Sequence, residues 1–127
     1  EMIGRMRGLS TSELQKEIEH LLADLEIVEY RDKKGKNLSG GLKRLTSFAM
    51  ALIGSADIML LDEPTNNLDP ISREQVLDAL RTYKGAIVLV THDPGAVKAL
   101  NPERVIILPD GVEDLWNDDY MEIVELA

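Results

Sequence analysis

Two short stretches of this chain carry residue types and spacings suited to chemistry. Leu38-Ser39-Gly40-Gly41 puts a hydroxyl and two glycines at the start of a helical pattern. A helix N-terminus offers unpaired amides and the positive end of the dipole, and glycines let an anionic oxygen come close to the backbone. Ile58-Met59-Leu60-Leu61-Asp62-Glu63-Pro64 is an apolar strand ending in two carboxylates. Loops at the carboxyl edge of a parallel sheet gather ligands, and adjacent acids on an extended backbone point in different directions, which permits two jobs. Isolated, a Ser-Gly-Gly is more often an ordinary N-cap and an acid pair more often solvated. The long apolar approach and the following Pro64-Thr65-Asn66-Asn67-Leu68-Asp69 argue for function instead.

His92 follows another apolar strand and, taken alone, reads as a histidine satisfied by the adjacent Asp93. His20 falls on the polar side of an early helix and reads as a surface residue. No G-x-x-x-x-G-K-S/T sequence occurs, and Gly35-Lys36-Asn37 comes nearest to the Gly-Lys-Ser/Thr triplet. Without that loop the chain has no backbone cradle of its own for nucleotide phosphates. It therefore reads as a fragment that starts downstream of a P-loop.

The elements that must position these residues alternate. Ser10-Thr11-Ser12-Glu13 forms a capping box, and Leu14, Ile18, Leu21, Leu22 and Leu25 follow at helical spacing, predicting an amphipathic helix over 11–26. Residues 33–37 read as a polar turn. A second helix runs from Ser39 to about Gly54 with Leu42, Leu45, Phe48, Ala49, Leu52 and Ile53 inward. The continuous apolar run at 58–61 predicts a central parallel strand covered on both faces. Asp69-Pro70 starts a third helix, Asp69 as N-cap and Pro70 at its first position, with Val76, Leu77, Leu80 and Tyr83 as the inner stripe. Residues 86–90 form a second buried strand, followed by a short helix to Leu100. Residues 104–108 form a third strand turning toward 112–116, and Asn117 caps a terminal helix carrying Tyr120, Ile123, Val124 and Ala127. Trp116 and Tyr120 read as packing of this terminal region rather than as a base-stacking platform. The pattern is α/β with a largely parallel sheet.

Composition narrows the class. The 127 residues carry a formal charge of −9 with 44% hydrophobic content, enough for one domain core. With a pI near 4.6 and a basic cluster at 31–36 interrupted by Asp32, direct nucleic-acid binding by phosphate neutralisation is not expected. The absence of cysteine removes disulfides and thiolate metal sites and suits a cytosolic setting. No run of 18 apolar residues appears.

The order LSGG, IMLLDE, NNLD and THD resembles the second half of an ATP-binding cassette (ABC) ATPase domain: its signature, Walker B strand, D-loop and switch histidine. The resemblance implies a partial P-loop NTPase fold lacking the P-loop strand, with residues 1–57 as a helical subdomain and 58–127 as part of the ATPase core. It further implies ATP and Mg²⁺ as cofactors. Ser39, Gly40 and Gly41 would hold the γ-phosphate of ATP bound to the P-loop of a second ABC domain. Asp62 would bind Mg²⁺ through water, Glu63 would polarise the attacking water, His92 would sense or stabilise the developing charge, and Asp69 would contact the opposing domain. By this reading the intact parent is an ATPase, and the chain alone is inactive.

The two halves lean toward different branches. From Pro64 onward, NNLDPISREQVLDALR, THDPGAV, NPERV and the ending DGVEDLWNDDYMEIVELA resemble ABC-F proteins, soluble tandem-ABC factors acting at the ribosome in translation or antibiotic resistance. Residues 1–57 look closer to drug- or lipid-exporter ATPases, whose ABC domains sit on a membrane-domain subunit at the cytoplasmic face. The expectation is ABC-F first and exporter subunit second, with an engineered or natural module without activity as a third reading. Without a P-loop strand, the outer edge of strand 86–90 is expected either to pair with 104–108 or to be covered by a second chain, as in a homodimer.

Overall fold

In the computed structural model, which describes residues 1–126, six α-helices and four short strands follow one another. Ala127, assigned above to the terminal helix, lies outside those residues. Helix α2 (Thr11–Asp24) starts from the expected capping box: the Glu13 amide donates to Ser10 Oγ at 3.3 Å, and the Ser10 amide donates back to Glu13 Oε2 at 2.9 Å. Before it lies α1 (Met2–Met6), a helix without periodicity of its own. Tertiary contacts hold it, since Arg7 Nη1 donates to the Ala51 carbonyl at 2.9 Å and also to that of Ile53. A Cβ on Gly4 would run into Leu14.

Two 3₁₀ turns, Val28–Tyr30 and Gly35–Asn37, lead to α3 (Gly40–Leu52), β1 (Ile58–Asp62), α4 (Pro70–Thr82) and β2 (Ala86–Val90). β1 and β2 pair in parallel, with Ile58 opposite Ala86 and Asp62 opposite Val90. Parallel neighbours need a long crossover, and α4 supplies it. Helix α5 (Pro94–Leu100) follows, then β3 (Arg104–Ile107), β4 (Val112–Leu115), a 3₁₀ turn at Asp118–Tyr120 and α6 (Met121–Leu126).

One hydrophobic core joins the two parts of the chain: Leu25, Ile27, Leu45, Phe48 and Leu52 meet Met59, Val76 and Leu80. Leu42 and Tyr83 lie at its margin, only partly buried.

Two expectations about the sheet and one about the terminal helix need correction. First, β1 and β2 are covered on one face, not both. Met59 is 5% exposed, whereas its neighbours Ile58 and Leu60 are 67% and 71% exposed, and Val88 and Val90 share their open side. Helices α3 and α4 cover the Met59 side, and no second layer of the described residues covers the other. Second, the strand at 104–108 neither joins this sheet nor covers the edge of β2. It ends at Ile107 and pairs antiparallel with β4, Arg104 opposite Leu115 and Ile107 opposite Val112. A short chain reversal through Pro109-Asp110-Gly111 favours the local hairpin over a distant parallel partner, because loop closure is cheaper. Third, α6 buries no residue, and Ile123 is 50% exposed.

Candidate functional site

The carboxyl ends of β1 and β2 bring Glu63 and His92 together. The Glu63 amide donates to the Val90 carbonyl at 2.9 Å, extending the parallel ladder one step beyond Asp62. Its φ is +44°, in the left-handed region that costs a non-glycine residue strain. The backbone at Glu63 is therefore not extended, as the sequence reading had it. Glu63 Oε1 lies 2.6 Å from His92 Nδ1 and accepts from the His92 amide at 3.0 Å. A carboxylate only accepts, so this contact places a proton on Nδ1. Oε2 accepts from Thr91 Oγ1 at 3.2 Å. His92 is thus satisfied by Glu63 and not by Asp93.

Asp93 faces the other way. It accepts from Arg73 Nε at 2.9 Å and Nη2 at 2.8 Å, and from Thr65 Oγ1 at 3.1 Å. Burial pushes the Asp93 carboxyl up, but the Arg73 guanidinium, the Ala96 amide and the Thr65 hydroxyl outweigh it and hold the group below the ordinary aspartate value. Its Oδ1 also caps α5 through the Gly95 amide at 2.9 Å.

A second cluster joins Ser39, Gly40, Gly41 and Asp69. Ser39 is the N-cap of α3, its Oγ accepting from the Leu42 amide at 3.3 Å. The space beside Gly40 is open, while a Cβ on Gly41 would stand 3.9 Å from Asp69 Oδ2. Asp69 caps α4 by accepting from the Ile71 and Ser72 amides at 3.1 and 3.0 Å. The Ser72 hydroxyl, at 2.6 Å, is the main cause of its lowered pKa. Arg44 on α3 donates to the Asn66 carbonyl at 2.6 Å, tying the segment before Asp69 to the same helix.

Asp62 ends β1 exposed. Among the described residues no three of His, Cys, Asp and Glu converge as a metal site. Mg²⁺ keeps an octahedral oxygen shell, so the residues present do not fit it unaided. Any ion at Asp62 takes its remaining ligands from elsewhere. Phosphate fits one side better, since the Ser39-Gly40-Gly41 turn leaves room beside the first amides of α3.

Sequence reasoning missed Thr65, Arg73 and Thr91. Arg73 carried one usable signal. It sits at the positive end of α4, where a cation is unfavourable, so a nearby anion had to be sought. His20, as expected, is a surface residue, 77% exposed and 3.2 Å from Asp24.

The family model described as ABC transporter matches residues 2–66, a span holding the signature turn, β1 and both acids. This chain belongs to the ABC transporter family. It is similar to ATP-binding cassette sub-family A member 7 of Rattus norvegicus, 34% identical over 110 residues, covering 85% of this chain and 5% of that protein. ABC transporter A family member 11 of Dictyostelium discoideum is 38% identical over 117 residues, covering 87% and 14% respectively. The macrolide export ATP-binding/permease protein MacB of Psychrobacter arcticus is 37% identical over 122 residues, covering 92% and 18%. The chain thus spans less than a fifth of each of these relatives' length. A solved ATP-binding subunit of an ABC transporter superposes with a TM-score of 0.78 at 20% identity, over 96% of this chain and 55% of that one. A second ABC transporter chain gives 0.68 at 24% identity, over 91% and 50%. The fold is that of the ABC ATPases, an α/β P-loop NTPase architecture. Among the described residues no helix is long and apolar enough to cross a membrane.

Proposed function

We propose that this segment is the signature-to-switch part of a nucleotide-binding domain in an exporter-type ABC transporter, hydrolysing ATP in a composite site with a second ABC domain. The observation that carries this reading is the Glu63–His92 contact at the carboxyl end of the parallel pair. Glu63 is the base that polarises water, and the proton on His92 Nδ1 holds its carboxylate in orientation. Nε2 is left to face the developing charge. Ser39, Gly40 and Gly41 line the opposing domain's phosphate, where the first amides of α3 and its dipole favour negative charge. Asp69 lies beside Gly41 and faces the same partner. Asp62 would help hold Mg²⁺ together with ligands from outside this segment, and the ion would supply neutralisation of phosphate charge.

The exporter branch is preferred because two of the relatives described above carry transporter or export names. The exporter-like character of residues 1–57 points the same way. The ABC-F likeness of the later residues, with its ribosomal role, has no such support. In the exporter reading the domain works at the cytoplasmic face against a membrane-domain partner. In the full-length protein, Glu63→Gln is expected to retain ATP binding, trap the closed two-domain state and cut hydrolysis by about a hundredfold or more. Hydrolysis by this variant at the parental rate would remove Glu63 as base, and the proposal with it.

A further inference from the structure

Behind the Glu63–His92 contact lies a set of side chains without an assigned role. Thr65 is 5% exposed, and its hydroxyl is spent on Asp93 Oδ2 at 3.1 Å. Arg73 grips the same carboxylate side-on, through Nε and Nη2 of its planar guanidinium. The guanidinium lies against Gly95, where an added Cβ would collide with Nη2. Asp93 in turn is linked to the reacting side chain through Thr91. The Asp93 amide donates to Thr91 Oγ1 at 3.1 Å, and Thr91 Oγ1 donates to Glu63 Oε2 at 3.2 Å.

Oε1 of Glu63 is held by the two His92 donors, and Oε2 by Thr91. With the Thr91 hydroxyl gone, one oxygen loses its donor and the carboxylate is free to turn about its last torsion, which is broad and soft. With Arg73 gone, the turn holding Thr91 and His92 loses its fastening to α4. An exposed ion pair contributes little, but this one is bidentate and shares a buried hydroxyl, which makes it a rigid anchor.

We propose that Arg73, Thr65 and Asp93 anchor the loop after β2 and that Thr91 passes this anchoring on to Glu63, making Thr91 and Arg73 positioning residues for ATP hydrolysis. The proposal rests on the reading of Glu63 as base. Thr91 is the sharper of the two tests because valine keeps its shape and serine keeps its hydroxyl.

The experiment is steady-state ATP hydrolysis by the full-length protein carrying Thr91→Val, Thr91→Ser, Arg73→Gln, Arg73→Lys and Glu63→Gln. Thr91→Val is expected to lower kcat about tenfold with KM for ATP changed less than about twofold, since misplacing a catalytic group slows chemistry more than binding. Thr91→Ser should recover kcat to within about twofold of the parent. Arg73→Gln should lower kcat similarly, with Arg73→Lys in between. A Thr91→Val/Arg73→Gln double variant should lie close to the slower single variant rather than be slowed by the product of the two effects, since both residues act on one path. Parental kcat in Thr91→Val overturns the proposal, as does a Thr91→Ser variant as slow as Thr91→Val. If Arg73→Gln does not fold, the Thr91 pair decides alone. Loss of hydrolysis in Glu63→Gln beside normal Thr91→Val sinks only this proposal, whereas parental hydrolysis in Glu63→Gln sinks the reading beneath it.

Discussion

Asp69 joins a local role to a distant one. Its carboxylate closes the first turn of α4 and also lies beside Gly41 at the start of α3. The cap was legible in the sequence because an aspartate followed by proline acts on amides within three residues. Nearness to Gly41 was not, since it depends on two helices packing. The same distinction separates Ser39, whose cap is local, from the Arg73–Asp93 pair, which exists only because β2 returns parallel to β1 and delivers Asp93 to the first turn of α4. The conformation of Glu63 was likewise hidden, because a positive φ at glutamate has no composition signal. The lowered pKa of Asp69, caused first by the Ser72 hydroxyl, carries a pH consequence. A carboxyl whose folded pKa lies below its unfolded value, about 3.9, stabilises the fold above that value, and the stabilisation is lost as pH falls through the folded pKa. Asp69→Asn keeps an oxygen for the cap but cannot titrate. Its thermal midpoint should therefore fall less steeply than the parent's as pH drops below about 4, measured by circular dichroism on both proteins. Parallel curves would mean that the Asp69 charge plays no part in acid unfolding.

At the scale of elements, α3 carries the signature turn, so whatever fixes α3 fixes that turn. Two forces compete for the credit. The Ser39 cap satisfies one amide at 3.3 Å, worth about 1 kcal/mol. The inward stripe buries Leu45 to 1% exposure among Phe48, Leu52, Met59 and Val76, and truncating such a leucine costs about 3 kcal/mol through lost transfer energy and the cavity left behind. Packing therefore dominates. Leu45→Ala should lower unfolding free energy in urea by about 3 kcal/mol and Ser39→Ala by about 1 kcal/mol; the reverse order would show that the helix is held from its end. The 3.6-residue stripe made α2, α3 and α4 readable, with edges displaced by a residue or two. Five-residue α1 was unreadable because its partners, Leu14 and the Ala51 and Ile53 carbonyls, lie in other elements.

For the whole molecule, the apolar letters of β1 and β2 say that both faces tolerate burial, but not which layer supplies it. Among the described residues one helical layer covers the pair, and Ile58, Leu60, Val88 and Val90 share the open face. The hairpin of β3 and β4 does not close the sheet, which leaves the outer edge of β2 without a strand partner among the described residues. Such a face and edge favour pairing with a second copy of the chain. Opposing this is a net charge of −9, which makes two copies repel. Repulsion between surface charges is screened within about 8 Å at physiological salt, while apolar burial contributes roughly 25 cal/mol per Å² and is not screened. The isolated segment should therefore shift from monomer toward dimer as sodium chloride rises, followed by sedimentation velocity at micromolar concentration. Leu60→Lys with Val88→Lys puts charge at the centre of the open face and should restore the monomer. A segment that stays monomeric at all salt concentrations, with β2 amides exchanging rapidly, would mean that the exposed face drives no association.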